Sequence, residues 1–171
     1  MTQEQQDADE VRWLTDGEQR SWRAVLRGTR LLERALDAAL DVAGIQLSEY
    51  EILSMLSESP GGRLRMSEIA ALVVQSRSRL THTGTRLAAR GWVTREACSD
   101  DKRGVELVLT RTGWDAVRRI SRIHVQSVRD NLVDILTPEQ FQALGDAMAV
   151  VRDHIDPDRP PFRPVASAEQ A

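Results

Sequence analysis

The chain has 171 residues, 41% of them hydrophobic and 29% charged, with a formal net charge of −3. That length makes one domain with enough residues for a true core. No apolar run approaches the ~20 residues of a membrane-spanning helix, and no basic-then-apolar start reads as a signal peptide. A cytoplasmic protein is therefore expected. A single cysteine, Cys98, has no partner for a disulfide or zinc spacing, and the three histidines show no ligand pattern, so neither metal nor cofactor is expected. Of the 23 basic residues only Lys102 is a lysine. That bias reads as coding preference, so the position of an arginine says more than its presence.

The first fourteen residues are acidic and glutamine-rich and read as a flexible extension. Thr15 and Glu18 then form a capping box that opens a long helix. Trp22, Val25, Thr29, Leu32, Leu36 and Ala39 recur on its apolar side, opposite a stripe of Arg20, Arg23, Arg27, Arg30 and Arg34. Gly44 ends it. A second helix is expected from Ser48, boxed with Glu51 and stapled by Leu47 against Ile52, and ended by Pro60, Gly61 and Gly62. A short third helix follows Ser67. Next comes an arginine-rich helix whose Leu80, Thr83, Leu87 and Gly91 are expected to form a narrow buried stripe, with Gly91 also marking its end. Residues 92–96 and 105–110 alternate around a charged tip and predict a β-hairpin. Thr110 opens a further long helix through Trp114, Val117, Ile120, His124 and Val128. Thr137, Pro138 and Gln140 open the last one, with Phe141, Leu144, Met148, Val151 and Ile155 as its expected buried stripe. The tail 156–171 is proline-rich and expected to be disordered.

This order predicts a mainly α fold with a small β-hairpin wing: a winged helix-turn-helix lobe over about 46–110, within a folded region 15–155. The helices over about 15–44 and 111–155 carry more apolar stripe than one such lobe covers, which predicts a homodimer.

Function is carried by residues 75–95. That segment holds Arg77, Arg79, Arg86, Arg90 and Arg95, and no acidic residue falls between Ile69 and Arg95. A helix entering the major groove of double-stranded DNA needs small or hydrogen-bonding side chains near its N-terminus, and Ser76, Arg77, Ser78, Arg79, Thr81 and His82 provide them. Arginine offers a fork matched to guanine, whereas serine, threonine and the helix N-terminus suit phosphate. A solvated basic helix face in an arginine-rich proteome would look similar. The absence of carboxylates, and a positioning helix directly upstream, favour DNA. No phosphate loop, nucleophile elbow or carboxylate pair suggests an enzyme.

The stretch from Leu64 to Glu96, with Arg86, Leu87, Arg90, Gly91 and Val93 closing the basic helix, resembles the MarR family of winged-helix regulators. So do Asp101, Lys102 and Arg103 in the wing, followed by Leu109, Thr110 and Gly113. The resemblance spans roughly residues 18–155. It implies a dimer binding an inverted-repeat operator, often a repressor released by a small aromatic or phenolic ligand. It further implies DNA contacts from Arg86, Lys102 and Arg103, and a wing braced by Asp101. Gly84 departs from the family pattern, which usually has a branched apolar residue there. Trp13, Trp22 and Tyr50 are the aromatic candidates for a ligand site, set against plain packing. Two other readings stay open: a winged-helix dimer that binds protein instead of DNA, and a thiol-based redox sensor through Cys98.

Overall fold

A computed structural model describes residues 11–73, 76–98 and 104–157; for Arg77 it describes the backbone alone. The chain divides into two units at Arg34/Ala35. The first is most of helix α1 (Asp16–Leu40), opened as expected: the Thr15 amide and hydroxyl donate to Glu18 Oε2 at 2.7 and 2.8 Å. Trp22 and Val25, expected to be covered, are half exposed in the single chain.

The second unit begins with the last turn and a half of α1 and a 3₁₀ turn at Asp41–Ala43, closed by Gly44 at φ 65°. Then follow α2 (Leu47–Ser57), a turn at Pro60–Gly62, β1 (Arg63–Arg65), α3 (Met66–Leu72), α4 (Arg77–Ala89), β2 (Val93–Ala97), β3 (Val105–Leu109), α5 (Arg111–Val128) and α6 (Pro138–Ile155). A π-helical turn at Arg129–Val133 follows α5. No helix among the described residues is long and apolar enough to cross a membrane.

Three details differ from expectation. First, α2 starts at Leu47, with Gln46 as its cap and Glu49, not Glu51, reaching back to the Gln46 amide at 3.0 Å. The Leu47 amide donates to Asp37 Oδ1 of α1 at 2.7 Å, so a contact from ten residues upstream fixes the helix start. Second, α3 starts at Met66 and is capped at Arg65, whose amide donates to Glu68 at 3.0 Å; Ser67 lies inside it. Third, the hairpin has a third strand. β1 pairs antiparallel with β3, Leu64 opposite Leu107, and the sheet order is β1-β3-β2.

The core of this unit gathers Leu40 and Ile45 with Ile52, Leu53 and Leu56 of α2, Ile69 of α3, and Leu80 and Leu87 of α4. Val93, Leu107 and Leu109 of the sheet and Ala116, Val117 and Ile120 of α5 complete it. Burying these side chains is the main favourable term holding the lobe together, about 1.5–3 kcal/mol for each large one. Tyr50 is buried as well, its ring 4.5 Å from that of His124 on α5. The joint between α4 and α5 is especially close. The hydroxyls of Thr110 and Thr112 both donate to the Gly91 carbonyl at 2.7 Å, and the Thr110 amide donates to Trp92 O at 3.0 Å. Gly91 itself sits at φ 70°, as a helix-ending glycine should, but past the helix end it is exposed and takes no part in the buried stripe of Leu80, Thr83 and Leu87.

The stripe on α6 departs from expectation in a way that matters for assembly. The helix is capped as read, Thr137 N donating to Gln140 and Gln140 N to Thr137. Yet Phe141, Leu144, Met148, Val151 and Ile155 are all exposed, from 40% to 74%. The pattern marks a face that this chain alone leaves uncovered.

Candidate nucleic-acid interface

Helix α4 is built to present one face and bury the other. Ser76, in extended conformation, caps it by accepting the Arg79 amide at 3.3 Å. This places free N–H groups and the positive end of the helix dipole at its start. Leu80, Thr83, Gly84 and Leu87 lie buried, and the Thr83 hydroxyl is satisfied by Arg79 O at 3.1 Å. Ser76, Ser78, Arg79, Thr81, His82 and Thr85 face outward. Thus the expected base-reading residues with described side chains emerge on one exposed, carboxylate-free helix surface. Val74, Gln75, the Arg77 side chain and residues 99–103, including Asp101, Lys102 and Arg103, lie outside the described residues.

Arg86, expected among the DNA contacts, is half exposed and paired with α2. Its Nε donates to Glu49 Oε1 at 2.9 Å and its Nη2 to Gln46 Oε1 at 3.0 Å. Glu49 is 2% exposed, and a carboxylate so buried holds a paired guanidinium firmly. Arg90 is engaged too: Nη2 donates to Gly44 O at 2.6 Å while the guanidinium lies 4.9 Å from the Trp92 ring centre. Arg95 on β2 reaches Thr85 Oγ1 at 3.4 Å. At the base of the wing Arg63 of β1 pairs with Glu96 of β2 at 2.8 Å and Glu106 of β3 at 3.5 Å, joining all three strands.

Sequence reading missed Gln46, Glu49 and Arg63. For the first two, the four-residue pattern from Gln46 to Glu49 was present, but glutamine is an uncommon helix cap and the neighbouring serine drew the assignment. Arg63 gave no local signal, because its partners lie 33 and 43 residues further on.

The other candidates are placed as follows. Trp13 is 83% exposed and Trp22 52%, whereas Tyr50 is a core residue. His124 Nδ1 is buried with no hydrogen-bond partner among the described residues, and burial lowers its pKa below the ordinary 6.5. Cys98 is buried, its amide donating to Gly104 O at 3.0 Å, and a thiol withdrawn from solvent is poorly placed to sense oxidants.

With this geometry in hand, relatives decide the lineage. The MarR family model matches residues 43–104, from just before α2 to just before β3. The HTH-type transcriptional regulator PecS of Dickeya dadantii is 30% identical over 130 residues, 75% of this chain and 78% of PecS. The chain belongs to the MarR family. Two solved MarR family regulators from Streptomyces coelicolor are more similar still. AbsC is 42% identical with a TM-score of 0.82, over 86% of this chain and all of AbsC. Sco3205, solved in complex with DNA, is 44% identical with a TM-score of 0.84, over 88% of this chain and 94% of that one. This MarR protein is accordingly a transcriptional regulator and not an enzyme.

Proposed function

We propose that this MarR protein is a homodimer that binds inverted-repeat DNA sequence-specifically and acts as a repressor released by a small aromatic or phenolic compound. The observation that carries the DNA reading is the outward face of α4: Ser76, Ser78, Arg79, Thr81 and His82 exposed on a helix start with no carboxylate among them. The DNA-bound structure of Sco3205, at 44% identity, supports it. Arg77 joins these residues in reading bases, Lys102 and Arg103 bring the wing to the minor groove or its phosphates, and Asp101 holds the wing in place.

Dimerisation is supported by the uncovered apolar faces of α1 and α6. A monomer exposing both would carry an apolar surface that in soluble proteins marks an interface. In this reading the helices over about 15–44 and 111–155 pair the two copies and the lobe over about 46–110 meets the duplex. Trp13 and Trp22, both exposed, are the aromatic candidates for that ligand, and Tyr50 is packed in the core of the lobe.

A gel-shift against the gene's own upstream region, repeated with a panel of small aromatic acids, tests the whole reading. The expected result is a shifted band that one class of acid abolishes. A duplex bound equally well with every compound would remove the ligand-release part and leave the DNA part standing.

A further inference from the structure

We infer that Arg86 and Arg90 form a clasp that sets the angle of α4 against the junction between α1 and α2, with Glu49 as the positioning residue for DNA reading. The inference rests on the DNA-binding function proposed above. The junction, residues 44–49, is fixed from within by two carboxylates: Asp37 Oδ1 accepts the Leu47 amide and Glu49 Oε2 accepts the Gln46 amide. What it offers outward goes to α4. Glu49 Oε1 and Gln46 Oε1 take the two arms of Arg86, and Gly44 O takes Arg90, one helical turn further on. Two arginines four residues apart share one face of a helix, so together they resist both sliding and tilting.

The energetics hold Arg86 in the clasp even though its side chain is 49% exposed. Glu49 is almost wholly removed from water, and a buried carboxylate deprived of its partner is costly. Swinging Arg86 out to a phosphate would strand that charge. Arg86 therefore acts on DNA at second hand. It lies nine residues after Arg77, so at 1.5 Å per residue the base-reading end of α4 is ~13 Å away along the helix axis. A tilt of ~10° about the clasp moves that end by ~2 Å, enough to break hydrogen bonds whose tolerance is a few tenths of an ångström.

The test uses the full-length protein, a duplex selected by it from a random pool, and a scrambled duplex of equal length. Affinity for each is followed against salt for wild type, Arg86→Lys, Arg86→Ala and Glu49→Gln, with circular dichroism confirming each fold. Arg86→Lys is the deciding variant, because it keeps a positive charge for phosphate but lacks the fork that bridges Glu49 and Gln46. The clasp predicts that Arg86→Lys lowers the selected-to-scrambled affinity ratio by roughly tenfold, the order of a lost charge-assisted hydrogen bond, with an unchanged salt slope. Glu49→Gln, nearly the same shape, should lower the ratio in the same direction. Simple loss of folded protein lowers both affinities together and leaves the ratio alone. If Arg86→Lys and Glu49→Gln keep the wild-type ratio while Arg86→Ala reduces the salt slope by about one unit, Arg86 is a phosphate contact and the clasp is wrong. Failure of the underlying DNA reading is distinct: wild type would then bind neither duplex.

Discussion

A methyl group added at Gly84 would sit 3.5 Å from Leu107 Cδ1 and 3.8 Å from Met66 Cε, ordinary contact distances in the middle of a helix. Gly84→Ala should thus stabilise the protein by ~0.5–1 kcal/mol, the helix-propensity gain, measured as a higher urea midpoint. A loss of stability would mean that α4 and β3 need to approach more closely than the structure has them. Gly113 predicts the opposite. Its added Cβ would lie 2.0 Å from the Trp92 carbonyl oxygen, so Gly113→Ala must push the start of α5 off the sheet. The expected cost exceeds ~2 kcal/mol, and a Gly113→Ala protein as stable as wild type would contradict that packing. His124 gives a pH dependence. Burial lowers its folded pKa beneath the ordinary 6.5, so the folded protein binds fewer protons than the unfolded chain over that interval. Its contribution is present above pH 6.5 and is lost as pH falls from there towards the lowered folded value. In urea titrations between pH 5 and 8, His124→Gln should flatten this slope; an unaltered slope would assign it to other groups.

At the scale of elements, the helix starts at Thr15, Thr110 and Thr137 were legible because each cap is closed by residues within the next turn. The cap of α2 was misplaced by two residues because Ser48 and Glu51 satisfied the same pattern as Gln46 and Glu49. Asp37 and Arg86, both distant in sequence, favour the second pair. β1 was missed because three residues carry no period, and what makes them a strand is β3, more than 40 residues later. The buried and exposed faces of α4 were legible, since one stripe of Leu80, Thr83 and Leu87 leaves little doubt about the outward side. The pairing of Arg86 with Glu49 was not, because a buried glutamate on another helix leaves no trace in the local pattern. The exposed part of α4 yields its own prediction. Arg79→Ala should weaken binding to a selected duplex by ~1–3 kcal/mol and flatten preference at one base position if it reads guanine. Selection with this variant returning the wild-type motif at full strength would remove Arg79 from base reading.

For the whole molecule, the apolar faces of α1 and α6 and the acid-free face of α4 make one assembly hypothesis: two copies joined by their terminal helices, two reading helices presented to one duplex. Sedimentation should give twice the 19.2 kDa chain mass at micromolar concentration, and a stable folded monomer would count against it. Two reading helices on a two-fold axis should protect half-sites whose centres are ~34–36 Å apart. The claim underlying all of this is that the exposed face of α4 meets a polyanion. Its most direct test is the affinity of the wild-type protein for its selected duplex between 50 and 200 mM salt. Each neutralised phosphate contributes a slope of about −0.9 in log K against log salt, so a dimer with several contacts per half should show a slope steeper than about −4. Binding that is absent, or that holds level across that range of salt, would contradict the account.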